Sequence, residues 1–187
     1  MKYSKITILI IFLIFSYKTI AQVPSFGGGL AFSSGIDLNG LTTGNPAVYA
    51  RGFFKLNKQL KIVPGITAFS PRKKFYPTYP ATLKNYMFQG DIDAHLSIYR
   101  DDPLRFIAFA GLNATSVISK WDNLVSGAKN VNDLNLGLNL GLALYMFVNN
   151  SYDAYISGKY IAGPASQVII NVGIVFYPEG LRRKGGW

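Results

Sequence analysis

The chain has 187 residues, a formal net charge of +10 at pH 7 and no cysteine. Charged residues make up 15% of it and aromatic residues 14%, which is little charge for a soluble surface. The lack of cysteine excludes a disulfide framework, a cysteine-ligated metal site and a cysteine nucleophile. The length corresponds to one domain.

Residues 1–21 have the pattern of a secretory signal peptide. Two lysines precede an apolar run over residues 6–15, and Ala21 stands before a predicted cleavage at Gln22. The apolar run is too short to span a bilayer as a helix. We therefore expect an exported chain, without an N-terminal lipid anchor because the cleavage point carries no cysteine.

From Gln22 onward, apolar and polar residues alternate with a period of two, which predicts β-strands. Eight strands are predicted, over residues 26–36, 47–56, 60–69, 86–99, 104–115, 134–147, 152–162 and 167–177. A soluble strand averages about five or six residues, whereas a membrane-spanning strand needs about 9 to 11. Pro64 falls within the third strand and lacks an N–H group, so a bulge or local break is expected there.

The two faces of each predicted strand carry different residue types. In LNLGLNLGLALYM, residues 134–146, leucine or methionine alternates with Asn, Gly, Ala and Tyr. An eight-stranded barrel has an interior just wide enough for side chains to fill. We therefore expect the leucines to face lipid and a polar network to close the lumen without an open pore. Gly137, Gly141 and Ala143 are expected to leave room there for Arg and Lys side chains from other strands.

The charged residues of the predicted strands fall on the face opposite the aliphatic one. With the single histidine they form the predicted lumen network, whose members are Arg51, Lys55, Lys61, Asp91, Asp93, His95, Arg105, Asp153 and Lys159.

The connections between the strands favour a membrane barrel over a soluble sandwich. Short links at 57–59, 100–103 and 148–151 alternate with longer ones at 37–46, 70–85 and 116–133. Short turns on one side and long loops on the other are typical of outer-membrane barrels. A sheet in hydrocarbon must also close, because water is not available to its edges.

The predicted fold is therefore all-β: a closed, eight-stranded, antiparallel, up-and-down transmembrane barrel over residues 22–177. Both chain ends are expected on the periplasmic side, and residues 178–187 form a short basic tail. Outward aromatic residues near the strand ends are predicted to form interfacial girdles.

The chain resembles the small eight-stranded outer-membrane barrels of the OmpA, OmpX and PorT-like kind found in Gram-negative bacteria. The resemblance runs from SFGGGLAFSSG to the last strand, QVIINVGIVFY, which is similar to the signal read by the barrel-assembly machinery. It implies a non-enzymatic outer-membrane protein, either structural or an accessory subunit of an envelope secretion or assembly complex.

His95 and Ser97 share one strand face, as a general base and a nucleophile would. The pair resembles the His-x-Ser pair of the lipid A deacylating barrels, which implies an alternative function, a lipid-modifying barrel enzyme of the lipid A deacylase or acyltransferase type. Because they share the face of Asp91 and Asp93, we expect them in the lumen and interpret His95 as structural. A third interpretation, a soluble exported ligand-binding barrel, requires the leucines to point inward. No cofactor or metal site is expected.

The predicted loop SPRKKFYPTYP, residues 70–80, combines Arg72, Lys73 and Lys74 with aromatic residues. We expect these three cations to contact phosphate groups of lipopolysaccharide, or else to form a solvated loop. The expected partners are outer-membrane lipid, lipopolysaccharide and other envelope proteins, and not nucleic acid.

Overall fold

The computed structural model describes residues 24–38, 41–43, 46–77, 81–101, 103–122 and 130–178. The predicted signal peptide, residues 1–21, and nearly all of the predicted tail lie outside the described residues. Within the described ranges, no helix is long and apolar enough to cross a membrane.

The described elements are β-strands. Eight of them are long and three are short. Their bounds are Ser25–Ser33 (β1), Ile36–Leu38 (β2), Leu41–Thr43 (β3), Ala47–Lys55 (β4), Leu60–Phe69 (β5), Arg72–Tyr76 (β6), Ala81–Asp101 (β7), Leu104–Asp122 (β8), Val131–Phe147 (β9), Tyr152–Ala162 (β10) and Gln167–Phe176 (β11).

The eight long strands close into a barrel in the order β1, β4, β5, β7, β8, β9, β10 and β11. Every neighbouring pair is antiparallel, and β11 returns to β1 with Phe26 opposite Phe176. The predicted fold class, an all-β closed eight-stranded antiparallel barrel, is thus confirmed. We call the two ends the short-turn end, which carries the turns after β4, β7 and β9, and the long-loop end.

Two of the short turns are built in the same way. The side-chain carbonyl of Asn57 accepts hydrogen bonds from the backbone N–H groups of Gln59 and Leu60. Asn149 does the same for Ser151 and Tyr152. An asparagine oxygen that satisfies two backbone donors allows the chain to reverse within a few residues.

Two strands match their predicted bounds, but the predicted loops at the long-loop end are partly wrong. β5 and β10 span the predicted residues. β7 begins at Ala81, within the predicted loop 70–85, and β8 continues to Asp122, within the predicted loop 116–133. The extra residues pair with each other and with β6, so a four-stranded sheet of β6, β7, β8 and β9 continues beyond the barrel wall. We call it the extended sheet.

The ladder is interrupted at Pro64, as predicted, but on one side only. Pro64 pairs with Ile92 of β7 in unbroken register. Toward β4, pairing stops after Arg51↔Gly65 and resumes at Phe54↔Ile62. The residue numbers of each pair add up to 116 on both sides of the gap, so the register is unchanged. The interruption is therefore a local break and not a bulge, which would shift the register. The described bulge lies at residue 98 of β7, where the register with β8 shifts.

The outer face of the barrel is apolar and the inner face contains the buried charges. The outward leucines of β9 between residues 134 and 142 expose 57–69% of their surface. Phe26, Tyr152 and Phe176 lie side by side at the short-turn end, where outward aromatic residues are expected in a girdle. Since the leucines point outward, the soluble ligand-binding interpretation is wrong.

Candidate functional site

A polar cluster centred on Asp91 occupies the middle of the barrel interior. Lys159 Nζ lies 2.7 Å from Asp91 Oδ2, with the two side chains each 1% exposed. Asp91 Oδ1 accepts hydrogen bonds from Asn113 Nδ2 at 2.7 Å and from Asn139 Nδ2 at 2.9 Å. Asn139 Nδ2 also donates to Asp93 Oδ1 at 2.8 Å. The cluster joins β7, β8, β9 and β10, so it links half of the barrel wall from inside.

Arg51 lies deep in the same interior, and among the described residues it forms no close ion pair like that of Lys159 with Asp91. The guanidinium carbon is 5.2 Å from the centroid of the Tyr49 ring, within the range of a cation–π contact. Its Nη1 and Nη2 atoms make no hydrogen bond within the described part of the chain. The charges of Asp91 and Asp93 attract it, so it contributes to the balance of charge across the lumen.

A second polar group lies toward the short-turn end. Arg105 Nη1 is 3.7 Å from Asp153 Oδ2, and the Tyr177 hydroxyl donates a 2.7 Å hydrogen bond to the same oxygen. Lys61 Nζ lies 5.9 Å from the centroid of the Phe53 ring. Lys55, at the end of β4, is only half-buried. The predicted network members thus include two buried ion pairs, Asp91 with Lys159 and Arg105 with Asp153.

A chain of aromatic rings crosses the lumen between these polar groups. Successive ring centroids are 4.8 to 6.4 Å apart, within the range of favourable aromatic pairs. The rings follow the order Phe109, His95, Phe53, Tyr145, Tyr155 and Tyr49. The interior therefore contains packed aromatic rings as well as charged groups.

Glycines on the inner face make room for these rings. A Cβ atom added to Gly141 would lie 2.4 Å from Phe109 Cζ, and one added to Gly27 would lie 2.9 Å from Phe53 Cε2. The expectation that Gly137 and Gly141 leave room for Arg and Lys is wrong. Gly141 faces a phenyl ring, and Gly137 faces the backbone of Ala162 and the side chain of Ile161.

His95 and Ser97 do not form a catalytic pair in this structure. His95 is 1% exposed and stacks on the Phe109 ring at 4.8 Å. Neither of its ring nitrogens has a hydrogen-bond partner among the described residues, so it makes no bond to Ser97. A general base must reach the hydroxyl that it activates, and this geometry does not provide that contact.

The extended sheet separates the three predicted phosphate-contact residues. Directly opposite residues on antiparallel strands point to the same side. Lys73 lies opposite Lys84, which lies opposite Lys120, so three lysines form a row on the outer side. Arg72 and Lys74 lie on the other side. Lys74 Nζ is 5.1 Å from the Tyr76 ring centroid.

Sequence reasoning missed Lys84 and Lys120, because both fall in segments that it assigned to loops. It also left Phe109 and Tyr155 out of the interior site, although their position on the polar face of predicted strands was the signal. Among the described residues, no group of three or more His, Asp or Glu side chains is placed to hold a metal ion.

The barrel is similar to solved structures of outer-membrane proteins. The chain is similar to Ail of Yersinia pestis in complex with the heparin analogue sucrose octasulfate, with a TM-score of 0.58 and 10% identity over 82% of this chain and 96% of Ail. The fold is that of the small eight-stranded outer-membrane β-barrels. No protein-family model matches the sequence, and no curated relative does.

Two further structures share the small outer-membrane barrel fold. The N-terminal β-barrel domain of Pseudomonas aeruginosa OprF has a TM-score of 0.57 and 12% identity, covering 81% of this chain and 96% of that domain. Neisserial surface protein A has a TM-score of 0.54 and 14% identity, covering 82% of this chain and 94% of its own. At such identities the likeness concerns the fold alone.

Proposed function

We propose that this chain is a non-enzymatic outer-membrane barrel protein that serves as a structural or accessory subunit of the cell envelope. One observation carries the proposal: a closed sheet whose outer face is apolar around its circumference while its ionic groups are buried inside. A closed sheet leaves no backbone group unpaired in hydrocarbon. In water, the same outward leucines would form an apolar patch far larger than a soluble monomer exposes.

The packed interior supports a role that involves no transport through the barrel. Both the Asp91 cluster and the aromatic rings occupy the lumen, and an eight-stranded barrel has little space beyond its own side chains. The protein would then act through its surfaces, either the lipid-facing wall or the parts outside the bilayer.

The extended sheet supports a partner-binding role in an envelope secretion or assembly complex. It continues the barrel wall past the apolar band, and Phe75 on it is 61% exposed. Lys73, on the outer side of β6, supports contact with the phosphates of lipopolysaccharide. In this arrangement the short-turn end and both termini face the periplasm.

The proposal is tested by refolding the chain into phosphatidylcholine vesicles. Insertion should protect the barrel from protease and give a folded band that changes mobility on heating. Protease added outside cells should cut only at the long-loop end. A mature chain that stays monomeric and soluble without detergent or lipid would refute the membrane assignment.

Two further measurements address the role itself. Native pull-down from membranes should recover a stoichiometric envelope partner, and recovery of the barrel alone would count against the accessory role. Lipid A mass spectra should be unchanged when the gene is deleted. A loss of one acyl-chain modification on deletion, restored by the wild-type chain and not by His95→Ala, would show an enzyme instead.

A further inference from the structure

The outer side of the extended sheet carries a row of three lysines immediately beyond the apolar band. Lys73, Lys84 and Lys120 lie on neighbouring strands in direct register. Directly opposite residues in a sheet have Cβ atoms about 5 Å apart, and like charges at that distance repel. Only one anion of the described residues pairs with the row, Asp122, which accepts an ion pair from Lys84. The row therefore keeps a net positive charge.

The height of the row matches that of lipid headgroups. The outward residues of β8 from Phe106 to Ile118 cover 12 residue intervals (118 − 106). With a rise of about 3.4 Å per residue and a tilt of about 45°, this stretch is roughly 29 Å high. The hydrocarbon core of a bilayer is about 30 Å thick, and each headgroup layer adds roughly 5 to 8 Å. Lys120, two residues further along, lies roughly 5 Å higher and thus in the headgroup layer.

The row crosses a height similar to the thickness of that layer, with Lys120 inside it. Strands are about 4.8 Å apart, so at the same tilt the row rises by roughly 3.4 Å per strand. Its three amines then cover roughly 7 Å of height, comparable to the thickness of the headgroup layer. Lysine stems are flexible enough to adjust the height of their amines further.

Aromatic side chains next to the row indicate that its amines lie close to the bilayer. Lys120 Nζ lies 5.9 Å from the centroid of the Tyr86 ring. Tyr86 is paired with Ile118 and is closer to the apolar band than Lys120 is, so the amine leans toward the membrane surface. Phe88 follows Tyr86 on the same side and is 46% exposed. Aromatic rings at this level are typical of the membrane interface.

We propose that Lys73, Lys84 and Lys120 form a binding row for the phosphate groups of the outer-leaflet glycolipid. The proposal rests on the outer-membrane assignment and deepens it: it names lipid-borne phosphate as the ligand and moves the contact from the β6 cations to a row across three strands. Arg72 and Lys74 have no part in it, because they lie on the other side of the sheet. Each phosphate would be held by two neighbouring ammonium groups through charge-assisted hydrogen bonds.

The test compares two double variants that each remove two positive charges. Lys73→Gln with Lys120→Gln changes the outer side and leaves the ion pair of Lys84 in place. Arg72→Gln with Lys74→Gln changes the inner side of the same strand and is the matched control. Each full-length barrel is titrated in detergent with diphosphoryl lipid A and with its dephosphorylated form, and bound lipid is counted by native mass spectrometry.

The wild-type barrel should prefer the phosphorylated lipid, and the outer-side variant should bind it about 10- to 30-fold more weakly, since each surface lysine contributes about 1 kcal/mol toward anionic lipid. The control should change the affinity less than threefold. Equal losses in both variants, or no preference for phosphorylated lipid, would overturn the proposal. So would displacement of the lipid by millimolar inorganic phosphate, which would indicate a site for free phosphate.

Failure of this inference and failure of the proposed function are distinguishable. Both variants and the wild type are first inserted into phosphatidylcholine vesicles that contain no lipid A. A wild-type chain that does not insert contradicts the outer-membrane assignment itself. A chain that inserts but does not discriminate lipid A phosphates contradicts only the lysine row.

Discussion

Replacing Asp91 with alanine would remove the central acceptor of the barrel interior. Asp91 Oδ2 lies 2.7 Å from Lys159 Nζ, and its Oδ1 accepts hydrogen bonds from Asn113 and Asn139. Asn139 keeps a second acceptor on Asp93. Asp91→Ala therefore leaves the Lys159 ammonium buried without its carboxylate and Asn113 without the acceptor of its amide.

The size of the effect follows from the burial of this pair. Breaking a buried ion pair by removing one partner costs about 3 to 5 kcal/mol, because the remaining charge stays desolvated. We expect a loss of about 4 kcal/mol in the free energy of unfolding, roughly a thousandfold change in the folding equilibrium. Replacing both members, Asp91→Leu with Lys159→Met, removes both charges and should restore stability to within about 1 kcal/mol of wild type.

The assay is urea unfolding of the barrel folded into phosphatidylcholine vesicles, followed by gel mobility and by tryptophan fluorescence. Asp122→Asn is the matched control, because it breaks the exposed ion pair with Lys84. It should shift the midpoint far less than Asp91→Ala does, since exposed pairs contribute little. An Asp91→Ala loss below about 1 kcal/mol, or a double variant as unstable as the single one, would refute the reasoning.

Three further predictions test the wall, the packing and the histidine. Leu138→Arg, at mid-height on the lipid side, should lower the free energy of unfolding in vesicles by about 2 to 4 kcal/mol. Asn132→Arg, beyond the apolar band, should lower it by about 1 kcal/mol or less. Equal effects of the two variants would contradict the assigned membrane level. Gly141→Ala places a Cβ atom 2.4 Å from a phenyl carbon and 2.5 Å from a backbone oxygen, so it should reduce the refolded fraction and cost about 1 to 3 kcal/mol. The Cβ atom of Gly158→Ala meets no atom within 4 Å, so this variant should refold like wild type. If Gly158→Ala refolded less well than Gly141→Ala, the described packing around Gly141 would be contradicted. His95→Phe should unfold within about 1.5 kcal/mol of wild type, as a volume-conserving exchange within the ring chain, whereas a much larger loss would reveal a polar role for the imidazole.

The separation of the two faces was predictable because it depends only on local geometry. Side chains on a strand alternate with a period of two, so the outward leucines of β9 and the inward Asp91 and Asp93 follow from their positions in the chain. The number of barrel strands and their order could be predicted for a similar reason, since short turns force antiparallel neighbours. The bounds of β7 and β8 could not be predicted. Beyond the membrane level, strands that carry charged residues form backbone pairs as readily as apolar strands do, so the apolar pattern ends before the strand does.

The face that each residue takes follows from its place in the chain, and so do the two environments, lipid outside and packed side chains inside. Which residues meet is decided by the register and the closure of the sheet, which join strands far apart in the chain. Lys159 thereby reaches Asp91, Phe109 fills the space at Gly141, and Lys73 lines up with Lys120. A pattern within one strand carries no information about the height at which a distant strand passes, so these contacts exist only in the closed barrel.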